Sequence, residues 1–184
     1  LGSNVRLLTT ISERGVTTYK FTEASYPDMV KCIDDHQGKA NIYFTPNIVE
    51  ETFAGKKKPK KLNIAGALGL HVDIDPRPGF DLAEEQERIF KSLQSYHLPP
   101  SVIIFSGGGY QALWRLREPF FTKGDPLNID LIEAYNRKLA ADLGGDNTHN
   151  IDRILRVPGT INILDERKRA KGRVPAVARL VSWN

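Results

Sequence analysis

Two aspartates, Asp73 and Asp75, end an apolar segment and could together bind a divalent cation. The segment reads Leu-Gly-Leu-His-Val-Asp-Ile-Asp-Pro over residues 68–76. Residues i and i+2 of a strand point to the same face, so both carboxylates are expected to project together. Adjacent like charges favour a bound cation, and carboxylate oxygens suit Mg²⁺ or Mn²⁺. A lone Asp-x-Asp is also common in turns and on solvated faces, so a metal site needs support from other segments.

A second segment, Ser-Gly-Gly-Gly-Tyr-Gln over residues 106–111, could contact phosphate. Three successive glycines leave their backbone N–H groups unshielded, and such a bend can approach phosphate oxygens closely. A flexible hairpin tip between two strands is the simpler alternative.

The third segment, residues 152–162, places Asp152 beside Arg153 and close to Arg156. An ordinary surface ion pair is the alternative here. Taken together, the three segments favour one site, because three carboxylates can hold two divalent cations about 3.5–4 Å apart for in-line displacement at phosphorus. Glycine N–H groups and arginines would hold a triphosphate. The combination predicts nucleotidyl transfer.

In this order, the three segments resemble the motifs of the archaeo-eukaryotic primase superfamily, the primase-polymerases. The resemblance is strongest to the bacterial, plasmid, phage and CRISPR-associated branch, and it covers about residues 68–162. It implies that two Mg²⁺ or Mn²⁺ ions are bound by Asp73, Asp75 and Asp152. It also implies that the glycine bend contacts the triphosphate through Ser106, Gly107, Gly108 and Gly109. Arg153 or Arg156 would then balance the triphosphate charge or orient Asp152.

One position departs from the family pattern, because relatives usually carry a histidine where this chain has Gln111. Glutamine can donate a hydrogen bond to phosphate, but it cannot carry a positive charge. His149 is a candidate to compensate, with a plain loop histidine as the alternative. Tyr43 is a candidate contact to the nucleotide's sugar or base, with packing as the alternative.

Periodicity predicts an α/β (α+β) fold. Two strands at residues 5–11 and 16–21 form a hairpin, and a helix, a strand at 40–44 and a helical turn at 47–53 follow. The metal strand, a helix from Leu82, a glycine-tipped hairpin to Leu116, a helix at 128–143 and a strand at 174–183 give the order β-α-β-β-α-β. This order is typical of a ferredoxin-like or RNA-recognition-like antiparallel sheet. We expect one catalytic core, with residues 1–65 as an N-terminal α/β module and residues 66–184 as a palm-like module.

Composition favours a packed domain: of 184 residues, 40% are apolar and 26% charged, which argues against disorder. No apolar run approaches the roughly 20 residues that span a bilayer. A single cysteine, Cys32, excludes an internal disulfide and fits a cytoplasmic location. Two basic clusters are expected to contact nucleic acid, with solvated loops as the alternative: Lys57, Lys58, Lys60 and Lys61, and then Arg167, Lys168 and Arg169.

The predicted activity is template-directed nucleotidyl transfer by a DNA primase, a DNA polymerase or both. The expected partners are single-stranded or primed DNA and nucleoside triphosphates. A downstream helicase or accessory domain is also expected, since the sequence stops directly after a predicted strand. The alternative is a catalytically weak replication-initiator module that binds nucleic acid. A phosphohydrolase with an aspartate nucleophile is disfavoured, because Pro-Arg-Pro over residues 76–78 follows the aspartates.

Overall fold

The computed structural model describes residues 5–170 and 173–184, apart from the side chains of Arg167 and Lys168. The strands are β1 (Arg6–Ser12), β2 (Gly15–Phe21), β3 (Asn41–Phe44), β4 (Ile48–Val49), β5 (Ile64–Ile74), β6 (Val102–Phe105), β7 (Tyr110–Phe121), β8 (Leu155–Arg156), β9 (Ile161–Asn162), β10 (Ala176–Val177) and β11 (Arg179–Trp183). The helices are α1 (Tyr26–His36), α2 (Leu82–Ser95), α3 (Pro126–Leu143) and α4 (Glu166–Ala170). None of these helices has both the length and the apolar character needed to cross a bilayer.

The larger sheet, which we call the palm sheet, is antiparallel with strand order β11-β6-β7-β5-β4. The α2 crossover joins β5 to β6, and β7 lies between them, which is the split arrangement predicted from the element order. The last strand, β11, pairs with β6, and the short β4 takes the edge beside β5. The predicted antiparallel palm sheet is confirmed.

Helices α2 and α3 cover one face of the palm sheet. Val72 and Ile74 of β5 are buried there in one cluster with Ile89 and Leu93 of α2 and with Leu139 of α3. Because side chains alternate along a strand, Asp73 points to the opposite face. Hydrophobic packing on one face therefore determines that the acidic face of β5 is turned away from the helices.

A second sheet, which we call the N-terminal sheet, has strand order β2-β1-β3-β8 and begins with the predicted hairpin, in which Ser12 pairs with Gly15. Its last strand, β8, comes from the third segment, where Arg156 pairs with Tyr43 of β3. The palm and N-terminal sheets each contain a short strand from the other side of the predicted boundary after residue 65. Strand β8 follows the boundary but joins the N-terminal sheet, and β4 precedes it but joins the palm sheet. This arrangement places residues 152–156 between the two sheets. Strands β9 and β10 form a third, two-stranded sheet.

Several predicted bounds differ from the structure. The helical turn expected at residues 47–53 is wrong: Ile48 and Val49 form β4, because both are β-branched, buried, and paired with β5. Strand β7 continues five residues past the predicted end at Leu116, and α3 begins at Pro126, two residues earlier than predicted. The strand expected at 174–183 is divided into β10 and β11.

Candidate active site

The glycine bend and the two aspartates lie side by side because β5 and β7 are neighbours. Asp73 is directly opposite Gln111, and Ile74 is opposite Tyr110. A Cβ added at Gly109 would overlap the carbonyl oxygen of Ile74 and lie 3.0 Å from Asp75 Oδ1. Glycine is therefore required at this position for the bend to approach Asp75 so closely.

Asp73 is buried and receives two side-chain hydrogen bonds on one oxygen. Arg153 Nη2 donates to Asp73 Oδ2 over 2.6 Å in an ion pair, and Gln111 Nε2 donates to the same oxygen over 3.3 Å. Arg153 was expected to serve the triphosphate or Asp152. In the structure its guanidinium balances the charge of Asp73.

Asp75 is exposed, one residue beyond the end of β5, and it lies beside a carboxylate that sequence reasoning missed. Asp146 donates its backbone N–H to Asp73 O over 2.8 Å, and its Oδ2 accepts from Asp75 N over 3.2 Å. Burial raises the pKa of Asp146, and the charges of Asp75 and Asp73 raise it further. The only sequence signal was its position in a polar loop directly after Gly144-Gly145.

Asp152 completes the acidic set from the third segment. Lys58 Nζ lies 3.1 Å from Asp152 Oδ2, while Asp152 Oδ1 is buried and has no hydrogen-bond partner among the described residues. A buried carboxylate oxygen without a donor suits a hard cation. The donor chemistry of Asp73, Asp75 and Asp152 therefore fits Mg²⁺ or Mn²⁺.

The three carboxylates are not gathered into a ready-made metal cage. Within residues 5–170 and 173–184, no three His, Cys, Asp or Glu side chains form a group that could hold a metal ion as arranged. Arg153 and Lys58 are instead paired with Asp73 and Asp152. The positive charge of the site is thus supplied by the chain's own side chains.

Arg156 is buried next to the site, and two residues of β3 bind its guanidinium. Its guanidinium donates to Asn41 Oδ1 over 2.8 Å and to the Tyr43 hydroxyl over 2.9 Å, and it lies 4.7 Å from the centre of the Tyr43 ring. Burial lowers the pKa of Arg156, an effect that Tyr43 opposes. Tyr43 and Arg156, both expected to contact the nucleotide, therefore contact each other.

The glycine bend is closed by its own serine. Ser106 Oγ donates to Gly109 O over 3.2 Å and accepts from Gly109 N over 3.3 Å. Asn162 Nδ2 donates to Ser106 O over 3.1 Å, which connects the third segment to the bend. Gly107 has φ +93° and faces Asn162, and Gly108 faces the guanidinium of Arg173.

His149 lies in the loop that leads to Asp152. Its carbonyl accepts a hydrogen bond from Asn136 of α3 over 3.0 Å. Its Nδ1 is buried and has no hydrogen-bond partner among the described residues. His149 is therefore close to the third segment, but no described contact joins its ring to the three aspartates.

The basic residues expected at a nucleic-acid surface divide into two groups. Lys57 and Lys60 are exposed, as is Arg169 of α4. Lys58 pairs with Asp152, and Lys61 pairs with the buried Glu133 of α3 over 2.7 Å. The other two predicted contacts, Arg167 and Lys168, have side chains outside the described part of the structure.

Comparisons with known proteins agree with this architecture. The family described as the RepB DNA-primase N-terminal domain matches residues 34–183, whereas no curated protein matches the chain. The archaeo-eukaryotic primase domain of the cyanophage S-2L primase-polymerase superposes with a TM-score of 0.61 at 17% identity, covering 98% of this chain and 82% of that chain.

Two structures of primase RepB′ are similar to the same degree. One has a TM-score of 0.62 at 12% identity, and the match covers 98% of this chain and 51% of that chain. The other, a catalytic domain in complex with initiator DNA, has a TM-score of 0.61 at 12% identity, with coverages of 98% and 77%. Identities this low show the fold alone. The family match and the fold together confirm the predicted resemblance: the chain belongs to the RepB DNA-primase N-terminal domain family, in the plasmid and phage branch of the archaeo-eukaryotic primase superfamily.

Proposed function

We propose that this chain catalyses template-directed nucleotidyl transfer, as a DNA primase, a DNA polymerase or both. The observation that carries the proposal is the meeting of Asp73, Asp75 and the glycine bend at one end of the palm sheet, with Arg153 of the third segment bonded to Asp73. Acidic ligands beside a bend in which Gly107 and Gly108 have no hydrogen-bond partner for their N–H groups among the described residues suit a nucleoside triphosphate with its metals. Family membership supports the same class of reaction.

In this mechanism Asp73, Asp75 and Asp152 would hold two divalent cations. When bound, such ions supply Lewis-acid stabilisation of the attacking and leaving oxygens at the α-phosphate. The N–H groups of Gly107 and Gly108 would donate to phosphate oxygens, while Ser106 Oγ holds the N–H of Gly109 and fixes the shape of the bend. The attacking group is the 3′-hydroxyl of a primer or of an initiating nucleotide, and pyrophosphate leaves. Exposed Lys57 and Lys60 would follow the template backbone.

One observation favours a second candidate, a nucleic-acid-binding initiator module with weak catalysis. The ion pairs of Arg153 with Asp73 and of Lys58 with Asp152 already neutralise two of the three carboxylates. Divalent cations would have to displace or share these partners. Such a module would bind DNA without extending a primer.

Two assays test the proposal, each with Mg²⁺ and with Mn²⁺. They measure extension of a primed DNA template and synthesis on an unprimed single strand. We expect Asp73→Asn and Asp75→Asn each to reduce extension by at least about 100-fold, since loss of a group that stabilises transition-state charge costs factors of 10²–10³. Asp130→Asn is a matched control, because Asp130 is an exposed aspartate of α3. DNA binding without extension by the wild type would instead support the initiator module.

A further inference from the structure

Gln111 is a buried polar side chain whose position is determined from both sides. It is 4% exposed and lies directly opposite Asp73 across the β5–β7 pair. Side chains directly opposite in an antiparallel pair share a face and are close neighbours. Gln111 is thus held beside Asp73 by sheet register as well as by its own hydrogen bonds.

The hydrogen bonds fix the orientation of the Gln111 amide. The backbone N–H of Arg156 donates to Gln111 Oε1 over 2.9 Å. A backbone N–H can only donate, so it selects the amide oxygen and turns the amide NH₂ toward Asp73. Gln111 Nε2 then donates to Asp73 Oδ2 over 3.3 Å. One side chain therefore joins β8 of the N-terminal sheet to the aspartate of the palm sheet.

This connection also determines which oxygen of Asp73 remains accessible. Arg153 Nη2 and Gln111 Nε2 both donate to Oδ2, and no described residue donates to Oδ1. We propose that Gln111 is a positioning residue for Asp73: it holds Oδ2 in a hydrogen bond and so leaves Oδ1 as the oxygen that binds a cation. The inference rests on the proposed function, because it takes Asp73 as a metal ligand. It assigns Gln111 to the metal side of the site and not to the triphosphate.

The two roles predict different kinetic and binding behaviour. A group that contacts phosphate contributes to nucleotide binding, so its loss raises the nucleotide KM. A group that orients a metal ligand contributes to metal affinity, and the loss of such an outer-shell partner typically weakens metal binding about 10–100-fold. Gln111→Met removes both hydrogen bonds at similar side-chain volume and separates these predictions.

The primary experiment measures Mn²⁺ binding to the full chain without nucleotide, by electron paramagnetic resonance. We expect Gln111→Met to weaken Mn²⁺ binding by about 10-fold or more, with a lower kcat and, at saturating Mn²⁺, an unchanged nucleotide KM. Gln111→His should restore much of the affinity, because a neutral imidazole also offers one acceptor and one donor. Gln86→Met is the matched control: Gln86 donates to Gly108 O over 3.0 Å but does not contact Asp73, so its Mn²⁺ affinity should equal that of the wild type.

Unchanged Mn²⁺ affinity in Gln111→Met, with a raised nucleotide KM, would overturn the proposal. If Gln111→Met does not fold, Gln111→Ala, which also removes both hydrogen bonds, decides by the same two quantities. A wild type that neither binds Mn²⁺ nor extends a primer would refute the proposed function instead. In that case solvent exchange of the Gln111 side-chain amide protons decides: slow exchange that becomes fast in Asp73→Ala supports the connection, and fast exchange in the wild type overturns it.

Discussion

Lys61→Met should destabilise the fold, although Lys61 belongs to a lysine-rich segment that reads as a nucleic-acid surface. Lys61 Nζ lies 2.7 Å from Glu133 Oε2, and the Glu133 side chain is only 2% exposed. The other Glu133 oxygen accepts the backbone N–H of Ile151 over 3.0 Å, directly before Asp152. Removing the lysine would leave a carboxylate buried in α3 with one neutral donor.

The size of the effect follows from the exposure of the two partners. Removing one partner of a fully buried ion pair costs about 3–5 kcal/mol. The Lys61 side chain is 44% exposed, so water screens the pair from one side and can solvate Glu133 when the ammonium is lost. We therefore expect a loss of about 1–2 kcal/mol, between the values for surface and buried pairs. For a chain of this length, that loss corresponds to a fall in Tm of roughly 2–8 °C.

Urea unfolding is the appropriate assay, because urea is uncharged and does not screen the ion pair. Lys57→Met is the matched control: Lys57 is exposed, in the same segment, and in no ion pair with the described residues, so its stability should change by less than about 0.5 kcal/mol. Adding Glu133→Gln to Lys61→Met should recover part of the loss, because glutamine removes the buried charge and can still accept from Ile151. A wild-type urea midpoint for Lys61→Met, with no recovery in the double variant, would refute the structural role of this pair.

Lys57→Met is expected to weaken the salt dependence of single-stranded DNA binding, by about 0.7 in the slope of log affinity against log salt concentration. An unchanged slope would argue against a contact between Lys57 and phosphate. Glu85 should make the fold sensitive to acid, because hydrogen bonds from Arg88 and Arg77 lower its pKa. The stability that these bonds contribute is present above the pKa of an ordinary glutamate and is lost as the pH falls toward the lowered value. The urea midpoint of Glu85→Gln should therefore change less between neutral and acid pH than that of the wild type. Gly109→Ala should cost about 1–3 kcal/mol, the usual penalty for overpacking, since its Cβ would overlap Ile74 O; a urea midpoint equal to that of the wild type would contradict the close approach of β5 and β7.

Strand alternation predicted the acidic face of β5 correctly, because hydrophobic burial determines it. Val72 and Ile74 are 2% and 0% exposed, so Asp73 between them must point away from the helices. Alternation could not predict that Asp73 is buried while Asp75 is exposed. That difference arises because β5 ends at Ile74, and because Arg153, 80 residues further along the chain, covers Asp73.

Local sequence patterns could not predict the roles of residues whose partners are distant in the sequence. Asp146 reaches the site because the chain turns at the end of α3, where a Cβ on Gly145 would overlap Val72. The burial of Glu133 depends on Lys61 and on the N–H of Ile151, which are 72 and 18 residues away in the chain. The short strands β4 and β8 were missed because two residues carry no periodicity, and each forms only through pairing with a strand of another segment.

The electrostatic balance of the site follows from these distant contacts and constrains how a metal could enter it. Asp73 and Asp152 are each paired with a cation of the chain, Arg153 and Lys58, so the folded state does not depend on a metal to offset their charges. This differs from sites whose ligands fold only around their metal. Divalent cations would therefore have to compete with a guanidinium and an ammonium that the fold holds in place. Because a triphosphate brings negative charge of its own, it can engage the released Arg153 and Lys58, and metal and nucleotide are expected to bind more tightly together than either does alone.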